Sequence, residues 1–237
     1  HINNNYDFAE MMSELLGELN ASHTGCRAYN HWKHADNTAA LGIYIDYSFK
    51  GSGVKIAEIM PKSPLISNGA LIKKGDVINA INGEKIKSLP NYYSLLNHKN
   101  GEKVMLEFSN EKGKSMTQYV TPISRAQQYN LMYERWVESR RALVMQLSNG
   151  KVGYVHVRGM DDESFRQVYE DLLGKHSGMD AVVVDTRFNG GGWLHDDLAT
   201  LLSGEKYVDF VPRGQYIGSD PQQEWNKTSY VLAGEGK

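Results

Sequence analysis

The stretch from Met179 to Leu198 constrains this chain more than any other. It runs from the apolar residues Ala181 to Val184 through Asp185, Thr186, Arg187, Phe188 and Asn189 into three successive glycines. Apolar spacing then resumes at Leu194 and Leu198. An apolar run that ends in charge is a buried strand, and leucines at i and i+4 after a loop are a helix start. Consecutive glycines cost backbone entropy, so they belong where the chain needs positive φ or where something must approach its amides. Amides that precede a helix form an electropositive concavity suited to an anion or a developing oxyanion. A nucleotide phosphate fits poorly. No Gly-Lys-Ser/Thr follows, and Gly190-Gly191-Gly192-Trp193-Leu194-His195 departs from Gly-x-Gly-x-x-Gly. Spacing alone leaves an anion site and a plain strand-to-helix turn standing side by side.

At 237 residues the chain is long enough for one large domain or two modest ones. A formal net charge of −2 with 23% charged residues gives no polybasic surface for nucleic acid. With 41% hydrophobic residues, evenly mixed, the chain reads as globular and not disordered. Its apolar runs fall far short of the roughly 20 residues that a membrane helix needs. Cys26 is the only cysteine, which excludes an intrachain disulfide and decides nothing about compartment. No signal peptide is visible, and an opening at His1 without methionine reads as a trimmed piece.

Along the chain, Phe8, Met11, Met12, Leu15, Leu16 and Leu19 recur at helical spacing, so Tyr6 to Asn20 is expected to be an amphipathic helix. Ser22 and His23 fall in the loop beyond it, where a rigid helix can hold a functional side chain. Strands are expected at Leu41–Asp46, Val54–Met60 and near Val77–Ile81, the last closed by an Asn82-Gly83 hairpin turn. A short helix is expected within residues 61–71 and another over Leu89–Leu96. Strands are expected at Val104–Phe108 and Met116–Val120. Gln128 to Leu147 reads as a polar, arginine-rich connector. Beyond it, Val152–Val157 and Ala181–Val184 alternate with helices at Phe165–Leu173 and Leu194–Leu202, a pattern that builds an open sheet with packed helices. Tyr207–Phe210 and Ser229–Ala233 read as further strands.

Several clusters carry potential chemistry. A serine hydroxyl is a weak nucleophile until a histidine accepts its proton, and the histidine needs a third group to orient it. Ser22 adjoins His23 too closely to be the group that His23 deprotonates, so it is better cast as an orienting hydroxyl. On sequence alone, a structural loop histidine is the stronger reading. His23, Cys26, His31 and His34 could be taken as a zinc set, but a single cysteine and the interleaved Tyr29 and Trp32 match no finger spacing. A Cys26–His23 dyad has even less support, since nothing in the sequence points to an activated thiol. Asp196 and Asp197 after His195 suit the first turn of a helix on electrostatic grounds alone.

The run Asp185-Thr186-Arg187-Phe188-Asn189-Gly190-Gly191-Gly192 resembles the Asp-x-Arg-x-Asn-x-Gly-Gly signature of the carboxyl-terminal-processing and tricorn serine peptidases. Gly17-Glu18-Leu19-Asn20-Ala21-Ser22-His23-Thr24 is similar to the tricorn segment that contributes a catalytic histidine and a supporting serine. Between the two, Pro-x-Ser-Pro, Gly-Asp-Val-Ile and Ile-Asn-Gly resemble a PDZ domain. Leu41-Gly42-Ile43 matches its carboxylate-binding loop, with Ala40 where that loop has a first glycine. Peptide contact at this loop and mere bracing of the core both remain open.

The resemblance implies an α+β fold in which a PDZ-like domain, residues 38–122, is inserted into a peptidase core of open β-sheet with packed helices. Residues 1–37 supply that core's helical beginning and 123–237 its remainder, with the strand at 181–184 central. It implies a serine endopeptidase acting on peptides or unfolded proteins, with no cofactor, no metal, no nucleic acid and no membrane span. His23 would be the general base, Ser22 its support, and the amides of Gly190, Gly191 and Gly192 the oxyanion hole. In that family the nucleophilic serine follows a strand like Ser229–Ala233 by a few residues, and here Lys237 comes first. This polypeptide is therefore expected to carry a histidine and half an oxyanion hole, and not to hydrolyse peptides by itself. His23, the glycine loop and the segment near Lys237 should converge on one cleft. A peptide-binding protein without catalysis, using the PDZ-like groove, is the alternative. Homo-oligomer formation stays open, and the compartment leans weakly toward the bacterial periplasm or another extracytoplasmic site, with the cytoplasm left open.

Overall fold

A computed structural model describes residues 2–21, 23–29, 33, 35–66, 69–221 and 224–234. It mixes helix and sheet, as expected, and each of its two main sheets has its own core. Helix α1 (Asn5–Gly17) begins where the Asn4 side chain accepts the amides of Tyr6 and Asp7 at 2.8 and 3.0 Å, satisfying two of the donors that a helix start leaves free. The apolar stripe lies on it, but only Ala9 is buried; Phe8, Met11 and Leu15 stay exposed.

The first sheet holds β1 (Ile43–Ile45), β2 (Val54–Ile59), β3 (Val77–Ile81), β4 (Glu84–Lys85), β5 (Val104–Ser109) and β6 (Ser115–Val120), with helix α2 (Leu89–Ser94) between β4 and β5. The order is β1-β2-β3-β5-β6, all antiparallel, with β4 paired to β3. On β5 the buried residues are Val104, Leu106 and Phe108, the period of two that a half-buried strand requires. They meet Ile78, Leu65 and Leu96 in one core. Asn82 and Gly83 both take positive φ, 51° and 81°, as a two-residue hairpin turn of the primed type demands. Ala40 and Ile123 exchange backbone bonds at 2.7 and 2.9 Å, so the chain enters and leaves this sheet side by side.

Two stretches differ from the sequence expectation. The described part of 61–71 forms turns and no helix. There Ser63 Oγ donates to the Leu41 carbonyl at 2.8 Å and accepts the Leu65 amide at 3.1 Å, an arrangement that competes with helical bonding. Residues 128–147, expected as a connector, lie in a long helix, α3 (Arg125–Leu147). It opens with a capping box in which Ser124 and Gln127 satisfy each other's amides at 3.2 and 2.8 Å. Its polarity hid it, because none of its residues is fully buried.

The second sheet holds β7 (Val152–His156), β8 (Ala181–Asp185) and β11 (Thr228–Leu232) in the order β11-β8-β7, all parallel, with β8 central as expected. Helix α4 (Asp162–Glu170), prolonged by a π-helical turn at Asp171–Lys175, carries the chain from β7 to β8. Helix α5 (His195–Ser203) follows the glycines and leads to a hairpin of β9 (Val208–Phe210) and β10 (Gly218–Asp220) before β11. Val155, Val182, Val168, Leu172, Leu198 and Trp225 close the core. Helix α3 lies along β7. Among the described residues no helix is long and apolar enough to cross a membrane.

Phe108 is fully buried in the first core. Its replacement by alanine is expected to cost about 3–5 kcal/mol of stability, read as a lowered urea midpoint, because the site must keep most of the cavity. A loss near zero would show that the first sheet does not depend on this core.

Candidate active site

Parallel pairing sets the site. His156 pairs with Asp185 and Asp185 with Leu232, so the carboxyl ends of the three strands stand in one row. Ligands of open parallel sheets lie at that edge. The loop after β8 occupies its centre, and Thr186 ties it to β11 through bonds from its amide and hydroxyl to the Leu232 carbonyl at 2.9 and 3.2 Å. The end of β11 is thus held beside the start of this loop. The segment near Lys237, expected to converge here, lies outside the described residues.

The loop is fixed by its polar residues. Asp185 is fully buried and accepts the Tyr154 hydroxyl at 2.7 Å, the Arg187 amide at 3.0 Å and the Arg187 guanidinium at 2.6 and 3.0 Å. Burial pulls its pKa up, but the bonds from Arg187 and Tyr154 outweigh burial and hold the carboxyl below its ordinary range. The same contacts push the Tyr154 phenol upward, burial contributing most and the Asp185 hydrogen bond next. Asn189 is nearly as buried. Its Nδ2 donates to the Val157 carbonyl at 3.0 Å and its Oδ1 accepts the Gly191 amide at 2.7 Å. Gly192 forms an isolated parallel bridge with Met160 at φ +150°, and a Cβ there would lie 2.5 Å from the Met160 Cβ, so only glycine fits.

These bonds bear on the three glycines. The Gly191 amide is spent on Asn189, whereas the Gly190 amide has no partner among the described residues. Gly190 faces open space, with nothing within 4 Å of where a Cβ would sit. In this conformation Gly190 is the readier donor for an incoming anion, and Gly191 serves the loop.

His23 sits in the turn after α1, exposed and with φ 63°. Its turn is tied back to α1: Thr24 donates to the Leu16 carbonyl at 3.3 Å, and Ser13 both donates to the Cys26 carbonyl at 2.8 Å and accepts the Cys26 amide at 2.9 Å. The His23 ring has no hydrogen-bond partner among the described residues. Ser22 lies outside the described residues, as do His31 and His34 of the zinc reading. Of the other histidines near the sheet, His156 is buried with both nitrogens engaged, Nε2 donating to the Arg187 carbonyl at 2.9 Å and Nδ1 accepting the Tyr133 hydroxyl at 2.8 Å. It is built in as structure. Tyr133 and Trp136, which hold it, come from the stretch expected as a connector; their aromatic spacing on 128–147 was the available signal.

The PDZ-like loop is occupied from within. The Gly42 amide donates to Gln128 Oε1 of α3 at 3.1 Å, so a side-chain carbonyl stands where a peptide carboxylate would be received. Leu41 and Ile43 are buried on either side. The groove between β1 and α2 is a cavity of about 460 Å³. It is spanned by the Tyr47 and Tyr93 hydroxyls, 3.4 Å apart. Burial, then the contact with Tyr47, pushes the Tyr93 phenol up to about 12.

Comparison with known proteins agrees with this geometry. Residues 45–125 match the family model described as the tricorn protease PDZ domain, and residues 151–237 that of peptidase family S41. A putative tricorn-like protease C-terminal subunit of Sulfurisphaera tokodaii is 31% identical over 204 residues, covering 81% of this chain and 23% of that protein. The tricorn protease of Thermoplasma acidophilum is 27% identical over 216 residues, 88% of this chain and 20% of the relative. The crystal structure of the tricorn protease superposes with a TM-score of 0.79 at 21% identity, over 99% of this chain and 23% of that one. The chain therefore spans about a fifth of the length of these relatives, and the family resemblance read from its motifs is borne out.

Asp185→Asn is expected to destabilise the protein by roughly 2–4 kcal/mol at neutral pH, somewhat below a fully buried pair because Arg187 is one-third exposed. The folded carboxyl titrates below the unfolded value of about 3.9, so its contribution is complete above that pH and fades as pH falls through the folded value. The gap between wild type and variant in urea melts should narrow below about pH 4; a gap constant with pH would refute the assignment. Gln128→Ala should tighten binding of a peptide with a free C-terminal carboxylate at the Gly42 loop, measured by calorimetry, and leave the same peptide with an amidated end unchanged.

Proposed function

We propose that this chain is part of a serine endopeptidase of the tricorn type that cleaves peptides or unfolded proteins. The observation that supports this most is the register of β11 on β8, which brings the end of β11 level with Asp185, where the glycine-bearing loop starts. In this reading a serine a few residues beyond β11, past Lys237, attacks the scissile carbonyl. His23 takes the hydroxyl proton as the new C–O bond forms, with Ser22 supporting the imidazole. The Gly190 amide and its neighbours receive the oxyanion. His23 then gives the proton to the leaving amine as the C–N bond breaks, and water releases the acyl group by the same steps.

Two observations support these roles. The His23 ring is exposed and has no partner among the described residues, which leaves its nitrogens available to an orienting group and to a nucleophile. The glycine loop is held by Asp185, Arg187 and Asn189, so its amides are preorganised and need no rearrangement when charge develops.

A serine-directed phosphonate should label the full-length protein at one serine shortly after β11, identified by peptide mass. His23→Ala should lower the labelling rate by about 10³-fold or more, on the scale seen when a triad member is lost. Absence of labelling would favour the rival reading of a peptide-binding protein without catalysis.

A further inference from the structure

We propose that the aromatic cavity beside the glycine loop is a specificity subsite that receives an aromatic side chain of the peptide substrate and rejects lysine and arginine, with Phe188 and Trp136 setting the preference; this rests on the peptidase reading above. The cavity measures about 480 Å³ and is lined by Tyr133, Trp136, His156, Arg158 and Phe188. That lies within the range of small-ligand pockets and is ample for one aromatic ring.

Phe188 is the telling residue. It is 83% exposed, yet its backbone is left-handed at φ 64°, a region that bulky side chains rarely enter. The residues on either side hold it there, Arg187 through Asp185 and Asn189 through the Val157 carbonyl. Glycine would take this conformation without strain, and no core needs the ring. A strained, outward-facing aromatic at the edge of a reaction loop is accounted for by what its ring meets in solution. The Trp136 ring stands across from it, 6.0 Å between centroids at 70°, an edge-to-face arrangement that a third ring can extend.

The rest of the lining sets the chemistry of the guest. His156 forms the floor with both nitrogens spent, and the Tyr133 hydroxyl is committed to it, so the interior offers no free hydrogen-bonding group from either. Of the two nearby guanidinium groups, Arg158 belongs to the lining, whereas Arg187 does not and is paired with Asp185. The Arg158 guanidinium sits 4.3 Å above the Tyr133 ring and that of Arg187 is 5.9 Å from Trp136. An aromatic guest gains from the neighbouring rings and from Arg158, whereas a basic side chain meets the like charge of Arg158, which has no carboxylate partner among the described residues. The position fits a peptide. The cavity adjoins the end of β7, one strand over from the glycines, so a chain laid across the strand ends with its scissile carbonyl at the loop passes over it.

The test uses the full-length protein carrying His23→Ala to prevent turnover, and labelled peptides identical except for phenylalanine or lysine at one position, scanned along the peptide. Fluorescence anisotropy should find a position where phenylalanine binds about tenfold more tightly than lysine, the scale at which a hydrophobic pocket discriminates. Phe188→Ala, at an exposed site, should remove most of that gap. Trp136→Ala should do the same, and Trp136→Phe should keep the gap. No such position, or a gap that survives Phe188→Ala, overturns the subsite. The two readings separate: phosphonate labelling without a gap defeats the subsite alone, and a gap without labelling or cleavage defeats the assignment of the guest as a substrate.

Discussion

The buried carboxylate of Asp185 is the interaction on which the working edge of this protein depends. A lone ion at the end of a central strand would cost several kcal/mol of lost hydration. Here Arg187, two residues on, folds back to neutralise it, and Tyr154 on β7 completes its hydrogen bonds. That closure turns the chain sharply as it leaves the sheet. It also orients the Arg187 carbonyl toward His156 and sends Phe188 outward. Asn189 then anchors the next step, and the glycines follow in a path only glycine can take at Gly192.

Helix α3 joins this edge to the first sheet. Near its start Gln128 holds the Gly42 amide, and about two turns later Arg135 pairs with Glu58 of β2. In its middle Tyr133 and Trp136 pack on His156, and farther along Arg141 reaches the buried Asp171 at 2.9 Å. A helix with no fully buried residue is held mainly by contacts of this kind along its sides, so its polar composition and its fixed position are compatible. The same helix contributes one wall of the aromatic cavity and the plug of the PDZ-like loop.

Much of this was legible beforehand, for identifiable reasons. The strands of both sheets announced themselves through period-two burial or short apolar runs, the Asn82-Gly83 turn through residues that tolerate positive φ, and the loop after β8 through its glycines. Helix α3 was missed because its apolar residues are interleaved with charged and polar ones and none of them is fully buried. The turn around Ser63 was taken for a helix because serine's bond to the Leu41 carbonyl is a contact across the fold. Likewise the motif marked Asp185, Arg187 and Asn189 as a set. That they hold one another and the loop depends on which groups the folded sheet places opposite them.

The sequence by itself determined the order of elements, the α+β class, the resemblance to tricorn-type peptidases and the glycine loop as the reactive candidate. These follow from local propensity and from residue types whose chemistry is intrinsic. Tertiary structure decided how the candidates are spent: Gly191 on Asn189, Gly42 on Gln128, His156 on Tyr133 and the Arg187 carbonyl. An amide or imidazole reads the same in a sequence whether it is satisfied or free. Only the placement of partners distant along the chain tells the two apart, and that placement left Gly190, His23 and Phe188 facing outward.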